Sequence, residues 1–220
     1  LVEVSTHVDA RIRQAILSHD GQYVYAISDA SGEHEIWQFS ATGNKDFIQL
    51  TNDGSTLRWH LVLSPDGKWI AHDDKHGDLW LLNLDTRENK KIAEAGVGLS
   101  RYELSWSRDS QLLAFARNHQ ADERSRISLY SLAENKQQVL TTDDYESHAP
   151  ALSADGDWLY FLSERQFRAT PRTPWGDRNM GPTFDRRTLI FAYGLKASSK
   201  FPFQEPDELL ASSAAREKEA

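Results

Sequence analysis

The densest group of candidate metal ligands is the run from His72 to Asp78, which reads His-Asp-Asp-Lys-His-Gly-Asp. Two histidines four residues apart bind zinc when a helix places both on one face. This run instead joins two apolar segments of strand length. Alternation along a strand, followed by a turn at His76-Gly77-Asp78, would separate the two imidazoles. We therefore predict a solvated turn here and no metal site.

A second set of carboxylates recurs at nearly constant spacing. Asp20, Asp66, Asp109 and Asp155 are separated by 46, 43 and 46 residues. Acid–base catalysis by paired carboxylates needs two groups in one pocket, whereas these occur once in each repeat. An aspartate in such a position more often accepts hydrogen bonds from nearby backbone N–H groups and shapes a turn. We predict a structural role for all four and no catalytic residue in the chain.

The third candidate is a basic loop in an acidic chain. The formal net charge is −8, yet the segment 163–187 contains six arginines together with three prolines and a tryptophan. Loops of this length in compact domains are usually functional or disordered. Because guanidinium groups bind carboxylates, the candidate peptide-binding residues are Arg165, Arg168, Arg172 and Arg178, with Trp175 as an apolar contact. The alternative is a loop that docks on a neighbouring domain, or is disordered without it.

Composition narrows the functional classes. The formal net charge of −8 argues against nucleic-acid binding, which requires clustered lysine and arginine. No apolar run reaches the length of about 18 residues that a transmembrane helix needs, so no membrane partner is expected. The absence of cysteine excludes disulfides, thiolate catalysis and cysteine-ligated zinc. No cofactor is expected, and the compartment, periplasmic or cytoplasmic, is left open.

The segments that must position these residues repeat along the chain. Each repeat aspartate lies between two short apolar segments, and Ser64-Pro65-Asp66-Gly67-Lys68-Trp69-Ile70-Ala71 is the clearest copy. A period of about 40–50 residues is typical of four-stranded propeller blades. Asp-Gly offers the positive φ angles of a two-residue hairpin turn, so we predict such a turn in each repeat. The predicted fold is all-β, a β-propeller of four-stranded antiparallel blades; a β-sandwich is the alternative, but it does not explain the period.

About four blades are predicted, with the first three strands of each near 13–40, 58–84, 101–132 and 147–195. An aromatic recurs on three of the third strands, at Trp37, Trp80 and Tyr130, and is expected to pack between blades. The propeller is predicted to span 1–197, and 198–220 to form an exit linker. The segment 1–6 is interpreted as a fourth strand. It either closes a four-bladed ring or, as we favour, belongs to a preceding blade of a six- or seven-bladed ring.

The repeat resembles the aspartate-centred propeller repeat of TolB-type and tricorn-type proteins. A more specific resemblance rests on Pro174-Trp175-Gly176, Phe184-Asp185-Arg186-Arg187 and Pro206-Asp207-Glu208-Leu209. These blocks look like the end of the second propeller in bacterial tricorn-like serine peptidases. One departure is Ser110, which stands where the repeat has glycine.

The resemblance implies a non-catalytic module that gates or channels peptides towards a downstream PDZ domain and serine-peptidase core, neither of which fits within this chain. Hydrolase activity would then belong to the parent protein. The alternative function is a TolB-type scaffold that binds protein partners and has no peptidase activity. The expected partners are peptides or oligopeptides, downstream domains of the same protein, and a second copy of the chain, because an incomplete propeller leaves sheet edges exposed.

Overall fold

The computed structural model describes residues 3–4, 10–43, 46–94, 103–117, 124–165, 188–197 and 199–203. Most of the segment 1–6, the insertion after Arg165 and the linker beyond Phe203 lie outside the described residues. The ring size and the domain boundaries at 197 and 198 therefore stay predictions.

Regular structure within these ranges is entirely β-strand. The strands are β1 (Ile12–Leu17), β2 (Tyr23–Ser28), β3 (Glu35–Ser40), β4 (Phe47–Gln49), β5 (Arg58–Leu63), β6 (Trp69–Asp74), β7 (Leu79–Asn83), β8 (Asn89–Ala93), β9 (Glu103–Trp106), β10 (Leu112–Arg117), β11 (Arg126–Ser131), β12 (Lys136–Val139), β13 (Ser147–Leu152), β14 (Trp158–Ser163) and β15 (Leu189–Gly194). The described part of the chain includes no helix long and apolar enough to cross a membrane.

The strands form four antiparallel sheets in chain order. The first three sheets have four strands each, β1–β4, β5–β8 and β9–β12, and the fourth has the three strands β13–β15. The first strands of neighbouring sheets approach one another, β1 against β5 and β9 against β13. Consecutive meanders set side by side, with their first strands along a common inner edge, are propeller blades. The all-β propeller prediction is confirmed.

The apolar core lies between the sheets. The second and third sheets each lie between two neighbouring sheets. The second strand of each of them directs alternate side chains towards one neighbouring sheet and the other, because successive residues of a strand point to opposite faces. On β6, Ile70 packs against the first sheet and Ala71 against the third. On β10, Phe115 faces the second sheet and Ala114 the fourth. These strands are continuous apolar runs in the sequence because both of their faces are covered.

The prediction of a two-residue hairpin turn was wrong. Four residues separate Ser18 from Tyr23, whose carbonyl accepts the N–H of Ser18 over 2.8 Å, and Gly21 N–H donates to the carbonyl of Ser18 over 3.0 Å. Positive φ falls only on the glycine position, +70° at Gly21, and not on the aspartate before it. Hairpin loops of more than two residues are most often built around a type I turn, which does not need the two successive positive φ angles of a type I′ turn.

The recurring aromatics are only partly equivalent. Trp37 pairs with Ala26 and Trp80 with His72, each at the sixth residue after its repeat aspartate. Tyr130 instead pairs with Leu113, two residues nearer the turn. Tyr130 is buried in the core between the second and third sheets, as predicted. Trp37 packs in a smaller cluster with Ala26 and Phe39, on the face of the first sheet opposite to the second sheet, so its packing between blades stays a prediction.

Candidate functional site

Four equivalent hydrogen-bond sets hold the repeat turns. In each, a serine hydroxyl donates to Oδ1 of the aspartate two residues later, over 2.6 Å in three copies and 2.5 Å in the last: Ser18–Asp20, Ser64–Asp66, Ser107–Asp109 and Ser153–Asp155. The same Oδ1 accepts a backbone N–H two residues further on, at 3.0 to 3.1 Å. The serine oxygen also accepts the N–H that begins the second strand, at 2.8 to 3.0 Å. The predicted turn-forming role of the aspartates is confirmed.

These hydrogen bonds keep the repeat carboxylates ionised. The hydroxyl of Ser18 holds the pKa of Asp20 below its ordinary value, and the N–H of Gln22 lowers it further. Burial alone would raise the pKa of Asp66, but hydrogen bonds from Ser64 and from the N–H of Lys68 outweigh it, so the pKa is lowered. A carboxylate with a lowered pKa and occupied acceptor sites is a poor general acid near neutral pH.

The run from His72 to Asp78 is not a solvated turn throughout, and that part of the prediction was wrong. His72, Asp73 and Asp74 end strand β6 and are buried, because both faces of the second sheet are covered. His72 Nε2 lies 2.8 Å from Asn89 Oδ1, and burial is the main cause that lowers the pKa of His72 to about 3. His76 lies in the following turn, where its N–H donates to Asp74 Oδ1 over 2.9 Å. The described residues include no group of three or more His, Asp or Glu that could hold a metal ion.

The inner edge carries a histidine–aspartate pair that the sequence analysis missed. His60 Nδ1 lies 3.0 Å from both carboxylate oxygens of Asp73, and the His60 N–H donates to Oδ1 over 2.8 Å. The His60 side chain is 40% exposed, whereas that of Asp73 is 2% exposed. Burial raises the pKa of Asp73 against the opposing effect of the His60 hydrogen bonds. The pair joins β5 to β6, and no spacing rule within one strand would have found it.

A second ionisable pair lies on the inner edge between the third and fourth sheets. His148 Nδ1 is 4.0 Å from Glu103 Oε2, and the same oxygen accepts the N–H of Ala149. Glu103 begins β9 and His148 is the second residue of β13, so both belong to first strands. Together with His60, these residues place polar, partly exposed side chains on the inner edge.

An ion-pair network between the first two sheets was also missed. Arg58 Nη2 lies 3.1 Å from Glu35 Oε2 and 2.5 Å from Asp53 Oδ1, and the Arg58 and Glu35 side chains are 4% and 3% exposed. Glu35 also accepts the Gly54 N–H over 2.6 Å and the hydroxyl of Thr51. The buried charges of Arg58 and Glu35 satisfy each other, so we assign them to joining the sheets rather than to binding a ligand.

Of the five predicted peptide-binding residues, the structure describes Arg165 alone. Its guanidinium lies over two rings, 5.4 Å from the centroid of Tyr145 and 5.2 Å from that of Phe191. Its Nε donates to Ser163 Oγ over 3.1 Å. These contacts, all with described residues, involve the guanidinium group and its Nε. The Nη groups of an arginine can bind a carboxylate in a bidentate manner. Arg168, Arg172, Trp175 and Arg178 lie outside the described residues.

The support beneath Arg165 is buried. Ser163 is fully buried at the end of β14, and its hydroxyl donates to the carbonyl of Glu146 over 2.9 Å. Ser147 Oγ lies 3.1 Å from the same hydroxyl. Tyr145 belongs to the connector before β13 and Phe191 to β15, so three separate segments of the chain fix the orientation of this cation. The arrangement can bind an anion, a carboxylate above all, at the end of the fourth sheet.

Comparison with known proteins identifies the family of this propeller. The family model of the tricorn protease second beta propeller domain matches residues 1–220. The chain belongs to this family. Its resemblance to the propeller region of tricorn-like peptidases is thereby confirmed.

The tricorn relatives are much longer than this propeller chain. The chain is 25% identical over 190 residues to the tricorn protease of Thermoplasma volcanium, covering 84% of the chain and 17% of that protein. It is 26% identical over 137 residues to a putative tricorn-like protease C-terminal subunit of Sulfurisphaera tokodaii, covering 59% of the chain and 16% of that protein. The tricorn-family chain thus spans less than a fifth of the length of either relative.

Solved structures share the fold of this tricorn-family propeller. The crystal structure of the tricorn protease superposes with a TM-score of 0.74 at 19% identity, covering 87% of this chain and 18% of that one. The structure of a putative TolB from Agrobacterium tumefaciens gives a TM-score of 0.53 at 18% identity, covering 87% of this chain and 61% of that one. Similarities at this level of identity concern the propeller architecture.

Proposed function

We propose that this chain is a non-catalytic propeller module of a tricorn-like serine peptidase, which gates or channels peptides to a downstream PDZ domain and serine-peptidase core. The observation that carries the proposal is the match of the whole chain to the second propeller domain of tricorn protease. The length of the relatives supports it, since the Thermoplasma volcanium protein has room for further domains beyond the 17% that this chain covers.

The chemistry of the described residues supports a passive role. The four repeat aspartates are committed to turns, and His72 is buried with a pKa lowered to about 3, so both sets are poorly suited to general acid–base catalysis near neutral pH. The inner edge presents His60, Glu103 and His148, which are partly exposed and would line the path of a peptide through the propeller.

Arg165 supports a contact with peptide carboxylates. Its guanidinium is oriented by Tyr145, Phe191 and Ser163, so little side-chain freedom remains to be lost when an anion binds. We propose that Arg165 acts together with Arg168, Arg172 and Arg178 to attract carboxylates, and that Trp175 supplies an apolar contact.

Two experiments test this function. The coding sequence downstream of Ala220 should encode a PDZ domain followed by a core with a serine nucleophile; a reading frame without a peptidase core contradicts the proposal. In that longer protein, Arg165→Gln should raise KM about fivefold for peptides with a free acidic end, the effect of one exposed ion pair, with little change in kcat. The matched control is the same peptide with an amidated end, for which the variant and the parent should behave alike. Unchanged kinetics with the acidic peptide would remove Arg165 from the proposed function.

The second candidate function is a TolB-type protein-binding scaffold without peptidase activity. The fold similarity to the putative TolB from Agrobacterium tumefaciens favours it as the alternative, at a TM-score of 0.53. A downstream sequence without a peptidase core, combined with unchanged peptide binding on substitution of Arg165, would favour the scaffold.

A further inference from the structure

The outer edge of β15 differs from the outer edges of the equivalent strands. The third strands β3, β7 and β11 each pair with a fourth strand, whereas no described residue pairs with the outer side of β15. The N–H of Leu195 donates to the carbonyl of Asp157 over 2.9 Å, so odd-numbered residues here direct their backbone groups towards β14. Since direction alternates along a strand, Ile190, Ala192 and Gly194 direct theirs outwards.

The first sheet shows how such an edge is covered. The N–H of Leu50, just after β4, donates to the carbonyl of Ile36 on β3 over 2.8 Å. The N–H of Ile36 in turn donates to Thr51 Oγ1 over 2.9 Å. A backbone donor and an oxygen acceptor from the fourth strand therefore satisfy both outward groups of one residue.

The third sheet repeats this arrangement, and the fourth sheet has an equivalent residue on its third strand. Leu140 and Thr141 contact Ile127 of β11 through the same two hydrogen bonds, over 2.8 and 2.9 Å. Ile36, Ile127 and Ile190 each pair with the residue of the second strand that lies seven positions after the repeat aspartate. Ile190 is therefore the equivalent of Ile36 and Ile127 in the fourth sheet. Ile36 and Ile127 are fully buried, whereas Ile190 is 75% exposed.

The direction of an added strand connects this edge with Arg165. A strand that pairs antiparallel with β15 ends, at its C-terminus, beside Leu189 and Ile190. Ser163 pairs with Leu189 at that same end of the sheet, and Arg165 follows two residues later. Its guanidinium lies over Phe191 of β15, 5.2 Å from the ring centroid. Arg165 therefore lies at the same end of the fourth sheet as the part of the β15 edge near Ile190, which no described residue pairs with.

We propose that the outer edge of β15 binds the C-terminal segment of an extended peptide as a fourth, antiparallel strand, and that Arg165 pairs with its terminal carboxylate. A carboxylate oxygen accepts the N–H of Ile190, as Thr51 Oγ1 accepts that of Ile36. Strand addition of this kind takes its affinity from backbone hydrogen bonds and tolerates varied side chains, which suits a module that handles many peptides.

Charge complementarity selects a peptide end over other occupants. An internal segment offers a carboxylate there only where an aspartate or glutamate side chain falls at that position, whereas every free C-terminus offers one beside the guanidinium. This inference rests on the proposed function, since it names the part of the peptide that the module binds.

The test uses amide hydrogen exchange and peptide binding on the full 220-residue chain. The probe is a six-residue peptide of alternating glutamine and valine with a free C-terminal carboxylate. In the unliganded protein the outward amides of Ile190, Ala192 and Gly194 should exchange fast, and the inward amides of Phe191 and Tyr193 slowly. Adding the peptide should protect the three outward amides and leave the inward pair unchanged.

Two matched comparisons assign the contacts. Ala192→Pro removes one outward N–H at an edge position where proline is tolerated, and should weaken binding about fivefold, while Ala192→Ser keeps the N–H and should bind as the parent does. Amidating the peptide should weaken binding about tenfold, the effect of one charge-assisted hydrogen bond, and Arg165→Gln should abolish the difference between the two peptides.

The outcomes separate this inference from the proposed function. Peptide binding without protection of the outward amides, and without an effect of Ala192→Pro, overturns the docking site but leaves a peptide-handling module. Failure of every peptide to bind overturns both. Outward amides that are already protected in the unliganded chain also overturn the inference. A second copy occupies the edge if that protection fades on dilution, and the chain's own residues occupy it if it does not.

Discussion

The backbone N–H of Asp66 donates a hydrogen bond to the hydroxyl of Ser110 in the next repeat, over 2.9 Å. Ser110 stands at the position that glycine occupies in the other three turns, and it has a φ of +60°. Left-handed backbone costs a residue with a β-carbon free energy that glycine does not lose. The hydroxyl of Ser110 offsets this cost by linking two neighbouring turns, since it satisfies a donor that belongs to the second blade.

Ser110→Ala should destabilise the protein by about 1–2 kcal/mol, because it keeps the strained β-carbon and leaves the Asp66 N–H without its acceptor. Ser110→Gly loses the same hydrogen bond but relieves the backbone strain, so it should be less destabilising. Urea unfolding of the two variants and the parent measures both values. Equal losses for the two variants would show that φ at this position carries no strain.

The spacing of the repeat aspartates predicted the propeller because a supersecondary unit that stacks on its own copies leaves a period in the sequence. The same copies contained more information than the period. A serine stands two residues before every repeat aspartate, at Ser18, Ser64, Ser107 and Ser153. Its hydroxyl bridges the carboxylate to the N–H of the second strand, which requires a four-residue turn. The two-residue turn was predicted because Asp-Gly was interpreted without that serine.

The contacts between repeats could not be predicted in this way. His60 and Asp73 lie on different strands, and Glu35 and Arg58 lie on different sheets. Their meeting depends on strand register and on the packing of blades, which no local spacing encodes. Arg165 was identified by composition alone, as a cation in an acidic chain. The aromatic rings that contact it belong to Tyr145 and Phe191, which lie in separate segments of the chain, so local spacing could not predict these contacts.

The repeat carboxylates should make stability depend on pH in acid. Hydrogen bonds hold the pKa of Asp66 below its ordinary value despite the effect of burial, so its ionised form is favoured by folding. This stabilisation is present above the pKa of the unfolded chain, about 3.9, and is lost as pH falls through the lower folded value.

Asp66→Asn should therefore be less stable than the parent at pH 7 and lose less stability between about pH 5 and 2. Ser64→Ala is the matched variant, since it keeps the carboxylate but removes the hydroxyl that lowers its pKa, and it should flatten the acid limb in the same direction. Urea unfolding at a series of pH values gives the slopes. Parallel curves for the parent and both variants would contradict the role of this hydrogen bond.

The ion pair between Glu35 and Arg58 should be costly to break and much less costly to replace. Arg58→Met leaves a carboxylate with a 3% exposed side chain without its cation, and should destabilise the protein by about 3–5 kcal/mol. Adding Glu35→Gln removes the stranded charge while keeping an oxygen for the Gly54 N–H, so the double variant should recover part of the loss. A double variant that loses the sum of the two single effects would show that the pair is not coupled.

The contact of the Arg165 guanidinium with the ring of Tyr145 should be detectable as a coupling energy. The centroid distance of 5.4 Å to Tyr145 is within the range of a cation–π contact, which contributes about 0.5–1 kcal/mol at exposed sites. A double-mutant cycle with Arg165→Gln and Tyr145→Leu should return that coupling in the free energy of unfolding. Arg165→Lys is the control, because it keeps the charge but loses the planar stacking and the Nε hydrogen bond to Ser163, so it should recover only part of it. A coupling of zero in the cycle would mean that Tyr145 does not orient Arg165, and that the carboxylate site at this end of the sheet is not preorganised.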